Sequence, residues 1–498
     1  MTRSFSGSGG RRFREYVPGQ QFLMPPSIDD WLPQDHPARF IAEVVDEMLD
    51  LDEIYGSYAG DGAPPYDPGM MLKVLLWGYS SGVTSSREME RRCVTDVAFR
   101  FLTANQFPDY RSISRFRRRH MVALRDLFTQ VLVLCQRAGL VRLGRVGLDG
   151  TKIQANASRR KAMSYGFLVP RIEAVQAEVD ALQAQVDGLL AEGQQIDDAE
   201  DAEFGVDRRG DELPAELARR QSRLVKMRAA KQAMEEEARA KAAADGAARL
   251  AAGEPVKAVE GSPVSRDATS RGAGGVSGDA TAGETTADSF GDVVVRPKEQ
   301  RNFTDPQSRI MKMSDGSFQY AYNAQTVVDE TAQVIVAVNV TQAANDVNQL
   351  FDTLAVMDAS LVDAGISSHP EVILADAGYC SDDNLQHLDK VGSVVLIATG
   401  RLKRGEQVPG APRGRIPKNA TLKEKMARRL RTKQGKADYA RRKAIVEPVF
   451  GQMKTRQHAG QLRLRGLEGA TGEILLHALV HNLRKLCNDQ FNPGLLIG

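Results

Sequence analysis

Three acidic residues stand where a carboxylate could do chemistry. Asp376 closes the apolar run Val372-Ile373-Leu374-Ala375. A run without polar alternation suits a strand buried on both faces, and an acid at the C-terminal end of such a strand emerges where sheets of this kind bind ligands. Gly378 permits a sharp turn there, and Ser381 with Asp382 and Asp383 can cap a following helix. Asp-Ala-Gly equally suits an idle turn. Asp149 lies in LVRLGRVGLDGTKIQANAS (140–158), where Val146, Leu148, Thr151 and Ile153 suit a strand. The Asp149–Gly150 pair equally suits a two-residue hairpin turn. Glu447 lies in YARRKAIVEPVFGQMK (439–454), where Ala444, Ile445, Val449 and Met453 form an apolar stripe and Glu447 shares another face with Lys443 and Lys454. Pro448 removes a helix bond, so a helix either kinks or begins there. The other reading of Glu447 is a surface pair with Lys443, worth only ~0.3–0.5 kcal/mol.

The elements that must position these acids divide the chain. Residues 1–20 are Gly-, Ser- and Arg-rich and read as a disordered tail. Residues 21–142 have helical periodicity: Phe40, Val44, Val45 and Met48 in one helix, Met71, Val74 and Leu75 in another. Within them, Thr84–His120 reads as two short helices joined by a turn. Arg87 and Arg91 lie on the first, and Arg115, Arg117 and Arg118 on the second. That suits a helix-turn-helix facing phosphates, and a merely solvated helix face is the plainer reading. Ile172, Val175, Val179, Leu182, Val186 and Leu189 then recur at alternating spacings of three and four, a coiled-coil seam that Leu217, Leu224, Met227, Met234 and Ala238 resume. Residues 163–240 are therefore read as an inserted helical coiled coil, and 241–300, rich in Ala, Gly, Ser and Thr, as a linker. Beyond it, Gln319–Asp329 and Thr331–Gln342 read as a hairpin, Leu350–Ala364 as a helix and Val394–Ala398 as a buried strand. A basic insertion over 401–437 belongs to a stretch, Arg401–Lys443, that carries 16 Lys or Arg against three acids. One sign at that density repels itself unless a polyanion is near.

A formal net charge of +2 hides this segregation. Composition is that of a soluble protein, 42% hydrophobic and 26% charged. No apolar run approaches the ~20 residues that span a bilayer, and the N-terminus lacks a signal peptide's apolar core, so the expected location is the cytoplasm. Cys93, Cys135, Cys380 and Cys487 lie far apart with no CxxC pair, which indicates neither a zinc site nor a disulfide framework. By themselves these features give a multidomain nucleic-acid protein.

A set of stretches goes further: PYDPGMMLKVLLWGY (65–79), SSREMERR (85–92), PDYRSISRFRRRH (108–120), LDGTKIQANAS (148–158), YNAQTVVDE (322–330), VTQAANDVNQL (340–350), ILADAGYCSDDN (373–384) and EPVFGQMK (447–454). Together they resemble bacterial insertion-sequence DDE transposases with an InsH-like helical N-terminal domain. The resemblance implies an α/β fold: a ribonuclease H-like catalytic core over 143–162 and 301–490, an all-helical N-terminal domain and the inserted helices. It implies Asp149, Asp376 and Glu447 as catalytic triad and metal ligands for two Mg²⁺ or Mn²⁺ ions, ions that favour carboxylate oxygen. Lys454 matches the family's lysine seven residues beyond the glutamate. The arginine position four before it holds Lys443 with Arg442 beside it, and the tyrosine position holds Ala440 with Tyr439 beside it. Phosphate anchoring is thus expected from Lys454 and from Arg442 or Lys443. The implied activity is cleavage of transposon ends and their joining to target DNA, with double-stranded DNA as partner and a homodimer or higher synaptic oligomer as the assembly. The alternatives are an inactive DNA-binding regulator derived from a transposase, and a metal-dependent nuclease without strand transfer.

Overall fold

The computed structural model describes residues 27–58, 64–181, 183–184, 215–251, 299–400, 410–417 and 419–491. The expected tail at 1–20 and most of the expected linker lie outside these residues. The chain divides into two units, Met1–His120 with Cys487–Gly498, and Met121–Leu486.

The described part of the first unit is helical: α1 (Ile28–Trp31), α2 (Pro37–Glu43), α3 (Asp52–Gly56), α4 (Pro68–Ser80), α5 (Ser86–Thr95), α6 (Val97–Leu102) and α7 (Tyr110–Arg119). Helix α4 starts where the Asp67 carboxylate accepts from Met70 N, and it buries Met70, Met71, Leu72, Val74, Leu75, Leu76 and Tyr79. The expected two helices joined by a turn are in fact three. Asp96 caps α6, which follows α5 and buries Ala98, Phe99 and Leu102, with Ala98 and Leu102 in a cluster with Leu32 and Ala38. Helix α8 (Ala123–Arg137), grouped with these helices in the sequence reading, packs in the second unit, where Cys135 Sγ lies 3.8 Å from Asn482 O.

The second unit is built on a six-stranded mixed sheet. Strand β1 (Arg145–Gln154) is its centre, flanked by antiparallel β5 (Phe318–Asp329) and parallel β7 (Val372–Ala375). The far edge of β5 carries β4 (Arg309–Lys312) and β6 (Ile335–Thr341), both antiparallel, and β8 (Val394–Ile397) extends the sheet in parallel beyond β7. Asp149 and Gly150 lie inside β1, paired with Thr326 and Gln325, so the hairpin-turn reading of this pair is overturned. The nine-residue pairing with β5 holds the chain extended through them. Val372–Ala375 forms the buried strand expected from its apolar run.

Between β1 and β5 the chain makes a long excursion whose two ends meet again. Strand β2 (Ala162–Ser164) pairs antiparallel with β3 (Gln300–Asn302). Above this ribbon rise α9 (165–181) and α10 (Ala215–Ala251). Leu168, Val175 and Val179 pack against Leu224, Met227, Ala230, Met234 and Ala238, as the heptad spacing predicts. Tyr165 bonds Glu235 and Arg228 bonds Gln176, so the two helices run antiparallel. Helix α10 continues to Ala251, eleven residues into the stretch read as linker, because that stretch opens with alanines and a lysine, strong helix formers.

The remaining helices are α11 (Leu350–Asp363), α12 (Asp382–His387), α13 (Leu422–Leu430), α14 (Lys433–Ala440), α15 (Arg442–Arg456) and α16 (Gly466–Phe491). Side chains of β1 alternate between two faces. Gly147, Asp149 and Thr151 face α15, and a Cβ on Gly147 would collide with Val446. Gly150 and Gln325 face the other way, where Asn339 on β6 bonds Thr353 of α11.

Pro448 sits inside α15 without ending it. The carbonyl it leaves without a helical donor is that of Ala444, and Gln333 Nε2 donates to it at 2.8 Å. Gln333 is itself held by α16: His481 Nε2 donates to its carbonyl at 2.9 Å and Lys485 Nζ to its side chain at 3.0 Å. The last helix therefore fixes the helix that bears Glu447. Burial pushes the His481 imidazole down to about 4 from 6.5. Its stability contribution is complete above pH 6.5 and lost as pH falls toward 4, up to about 3 kcal/mol. Urea unfolding at pH 7.5 and pH 4.5 checks this: His481→Gln is expected to flatten the difference.

Candidate active site

Asp149 is largely buried and lies beside the end of β7, from which Asp376 emerges. Its Oδ1 accepts from Gly150 N at 2.9 Å, and its Oδ2 accepts from Arg442 NH1 at 2.9 Å. Burial raises its pKa above the ordinary 3.8, the Arg442 guanidinium opposes that, and the nearby Asp376 charge adds to the rise. Asp376 starts the turn Ala377–Tyr379, with Oδ1 accepting from Gly378 N at 2.7 Å. The two acids thus lie side by side, Asp149 within β1 and Asp376 just past the end of the parallel β7, close enough for the Asp376 charge to act on Asp149.

Helix α15 and the residue before α14 ends complete one side. Arg442, rather than Lys443, turns inward; Lys443 is exposed. Tyr439 is half-buried, and its hydroxyl donates to Ala375 O at 3.2 Å, one residue before Asp376. Lys454 Nζ donates to Thr151 Oγ1 at 2.6 Å, and burial lowers its pKa. Glu447 is exposed on the same edge of α15 as Lys454. Among the described residues, no three His, Cys, Asp or Glu side chains are gathered as a metal-holding group. Asp149 and Asp376 are therefore brought together, and Glu447 lies exposed on α15.

A residue missed in the sequence lies behind the pair. Asp346 Oδ1 accepts from Asn323 Nδ2 and Gln325 Nε2, both at 2.7 Å. The Tyr379 hydroxyl donates to Gln325 Oε1, and Asn384 Nδ2 reaches Val347 O at 2.6 Å and Tyr379 O at 2.7 Å. Tyr379 is fully buried and its pKa is raised by burial first, then by the charges of Asp346, Asp149 and Asp376. Gly378 is hemmed between Asp376 Oδ1 and Asp346 Oδ2. The acidic residue in VTQAANDVNQL was the available signal.

Among the cations of the first unit, Arg117 is buried: its NH1 donates to Tyr79 Oη at 2.8 Å and to Thr84 O at 2.9 Å. It is a packing residue, which corrects its assignment to DNA contact. Arg115 and Arg118 are exposed on α7; Arg87 lies over the Tyr110 ring at 5.1 Å, and Arg91 pairs with Glu88.

Two family models match the chain. Residues 26–119 match "Transposase domain (DUF772)" and residues 280–483 match "Transposase DDE domain". The chain belongs to the insertion-sequence DDE transposases. It is a DNA transposase, and its family uses divalent metal ions. The DDE match contains Asp376 and Glu447, whereas the transposase's Asp149 lies ahead of it, across the excursion that begins at β2. No curated protein and no solved structure matches the chain. Among the described residues, no helix is long and apolar enough to cross a membrane.

Proposed function

We propose that the second unit is a ribonuclease H-like core in which Asp149, Asp376 and Glu447 form the catalytic triad for cleaving transposon ends and joining them to target DNA. The observation that carries this is the Asp149–Asp376 pair, one acid within β1 and the other just past the end of the parallel β7. Sheet order supports the fold reading: a central first strand, then three strands on its antiparallel side, then two on its parallel side. The donor chemistry suits Mg²⁺ or Mn²⁺, since a desolvated Asp149 carboxylate with a second acid, Asp376, beside it gains most from a hard cation. Asp149 and Asp376 would hold it, with Glu447 turning in from the α15 edge to complete a two-ion set. When bound, such ions activate the attacking oxygen and stabilise the leaving one.

The chain's own residues have separate tasks. Arg442 keeps Asp149 ionised and oriented in a desolvated site. Lys454 offers a positive anchor for a phosphate beside β1, and Tyr439 fixes the end of β7 by its bond to Ala375. Arg87, Arg91, Arg115 and Arg118 would meet the DNA backbone near the element's ends, and Lys443 an outlying phosphate. The transposase would act in the cytoplasm as a homodimer or higher synaptic oligomer, since two ends must be held together.

Glu447→Gln tests the reading where support is thinnest. Cleavage of a duplex bearing the element's end is expected to fall about a thousandfold, about 4 kcal/mol, with duplex affinity unchanged. Full cleavage by Glu447→Gln, alongside loss in Asp149→Asn, would remove Glu447 from the triad.

A further inference from the structure

A concavity of about 510 Å³ opens where the inserted helices meet the ribbon beneath them. Four cations from three separate segments line it: Lys161 before β2, Arg223 and Lys226 on α10, and Arg465 before α16. No carboxylate among the described residues lines it. Among the described residues, Lys161, Arg223 and Lys226 have no ion-pair partner, and Arg465 spends only Nε, on Asn156 O at 3.2 Å. Thr304 also lines the cavity, and its Oγ1 is buried without a hydrogen-bond partner among the described residues.

This convergence is built into the fold. Met227 and Phe303 line the same cavity and also belong to the apolar core that joins α9, α10 and the ribbon. Glu237 of α10 pairs with Arg301 on β3 and with Arg309 on β4, which ties the helix to the sheet. Glu237 is thus used on the sheet side, and Lys161, Arg223, Lys226 and Arg465 are left lining the cavity. Like charges held together repel, and an anion that bridges them removes the cost.

We propose that this cavity seats the phosphodiester backbone of DNA, which makes the inserted helical hairpin a DNA-contacting part of the transposase. Among the described residues the lining offers long cations and hydroxyls and no Asn or Gln amide, a set that holds phosphate oxygens without reading bases. The inference uses the family's DNA substrate and not the carboxylate reading, and its test is a binding measurement, so either can fail alone.

The test titrates the full-length chain against a short random-sequence duplex over a range of salt concentrations. Each phosphate no longer neutralised lowers the slope of log K against log salt by roughly 0.9, so Arg223→Glu/Lys226→Glu is expected to lower it by about two and to weaken binding at least about tenfold at 0.1 M salt. Arg239→Glu/Lys241→Glu makes the same charge change on exposed positions of α10 outside the cavity and is expected to leave the slope unaltered. Arg223→Ala/Lys226→Ala provides the same reading should the reversal unfold the chain. Equal slope changes in the two reversal variants would overturn the proposal, as would none in either. Inorganic phosphate supplies the other arm. Thermal stabilisation by phosphate that the Arg223/Lys226 variants lose, with an unchanged duplex slope, would make this a small-phosphate site and sink the DNA assignment.

Discussion

Asp376→Asn is expected to abolish strand cleavage, by at least about a thousandfold, while leaving the fold and duplex binding intact. The substitution keeps the size of the side chain and an oxygen that can still accept from Gly378 N, so the turn Ala377–Tyr379 keeps its start. What disappears is one negative charge beside Asp149. That loss removes a donor a divalent ion needs, and several kcal/mol of transition-state stabilisation go with it. Stability moves the other way. The Asp149 pKa is raised, so its ionisation costs the folded state free energy as pH climbs past the ordinary carboxylate range. Asp376 adds to that cost, so Asp376→Asn is expected to match or exceed the parent's melting temperature at pH 7 without divalent ions. Adding Mn²⁺ should then stabilise the parent and not the variant. A variant that melts lower and still cleaves would place Asp376 among ordinary turn residues.

Much of this site was legible because its signals are local. An unbroken apolar run ending in an acid predicts β7 and the emergence of Asp376, and heptad spacing predicts the seam between α9 and α10. What was not legible depends on distant partners. Asp149–Gly150 has the composition of a hairpin turn, and only the pairing of β1 with β5, some 170 residues on, keeps it extended. Pro448 is a helix breaker by composition, and Gln333, over a hundred residues earlier, makes it tolerable by bonding Ala444 O. Arg442 and Lys443 are adjacent cations, and nothing local states which turns inward; the contact of α15 with Gly147 sets that rotation. Arg117 sits in a run of three arginines, yet burial against Tyr79 separates it from Arg118. In each case the sequence names the residue type, and a tertiary contact decides its use.

The same logic makes Asp346→Ala a damaging change outside the proposed triad. Asp346 lies behind the carboxylate pair, on the sheet face away from α15, and accepts from two fully buried amides, Asn323 and Gln325. Removing it leaves Gln325 Nε2 without this acceptor, whereas Asn323 Nδ2 keeps Ala343 O at 3.1 Å. A buried donor left unpaired costs about 1–3 kcal/mol, so a loss of about that size is expected in urea unfolding. Gln325 is also what the Tyr379 hydroxyl bonds, and Tyr379 closes the turn that carries Asp376. Loosening that turn should lower the cleavage rate at saturating DNA by a further factor of ten or more, with duplex affinity unaltered, a split that general destabilisation would not produce. Tyr379→Phe breaks the same chain one link later. If the links form one brace, the double variant Asp346→Ala/Tyr379→Phe should cost less than the two single losses together, with a coupling of about 1 kcal/mol or more. Strict additivity, or an Asp346→Ala loss below about 0.5 kcal/mol, would show that Asp376 holds its place without Asp346.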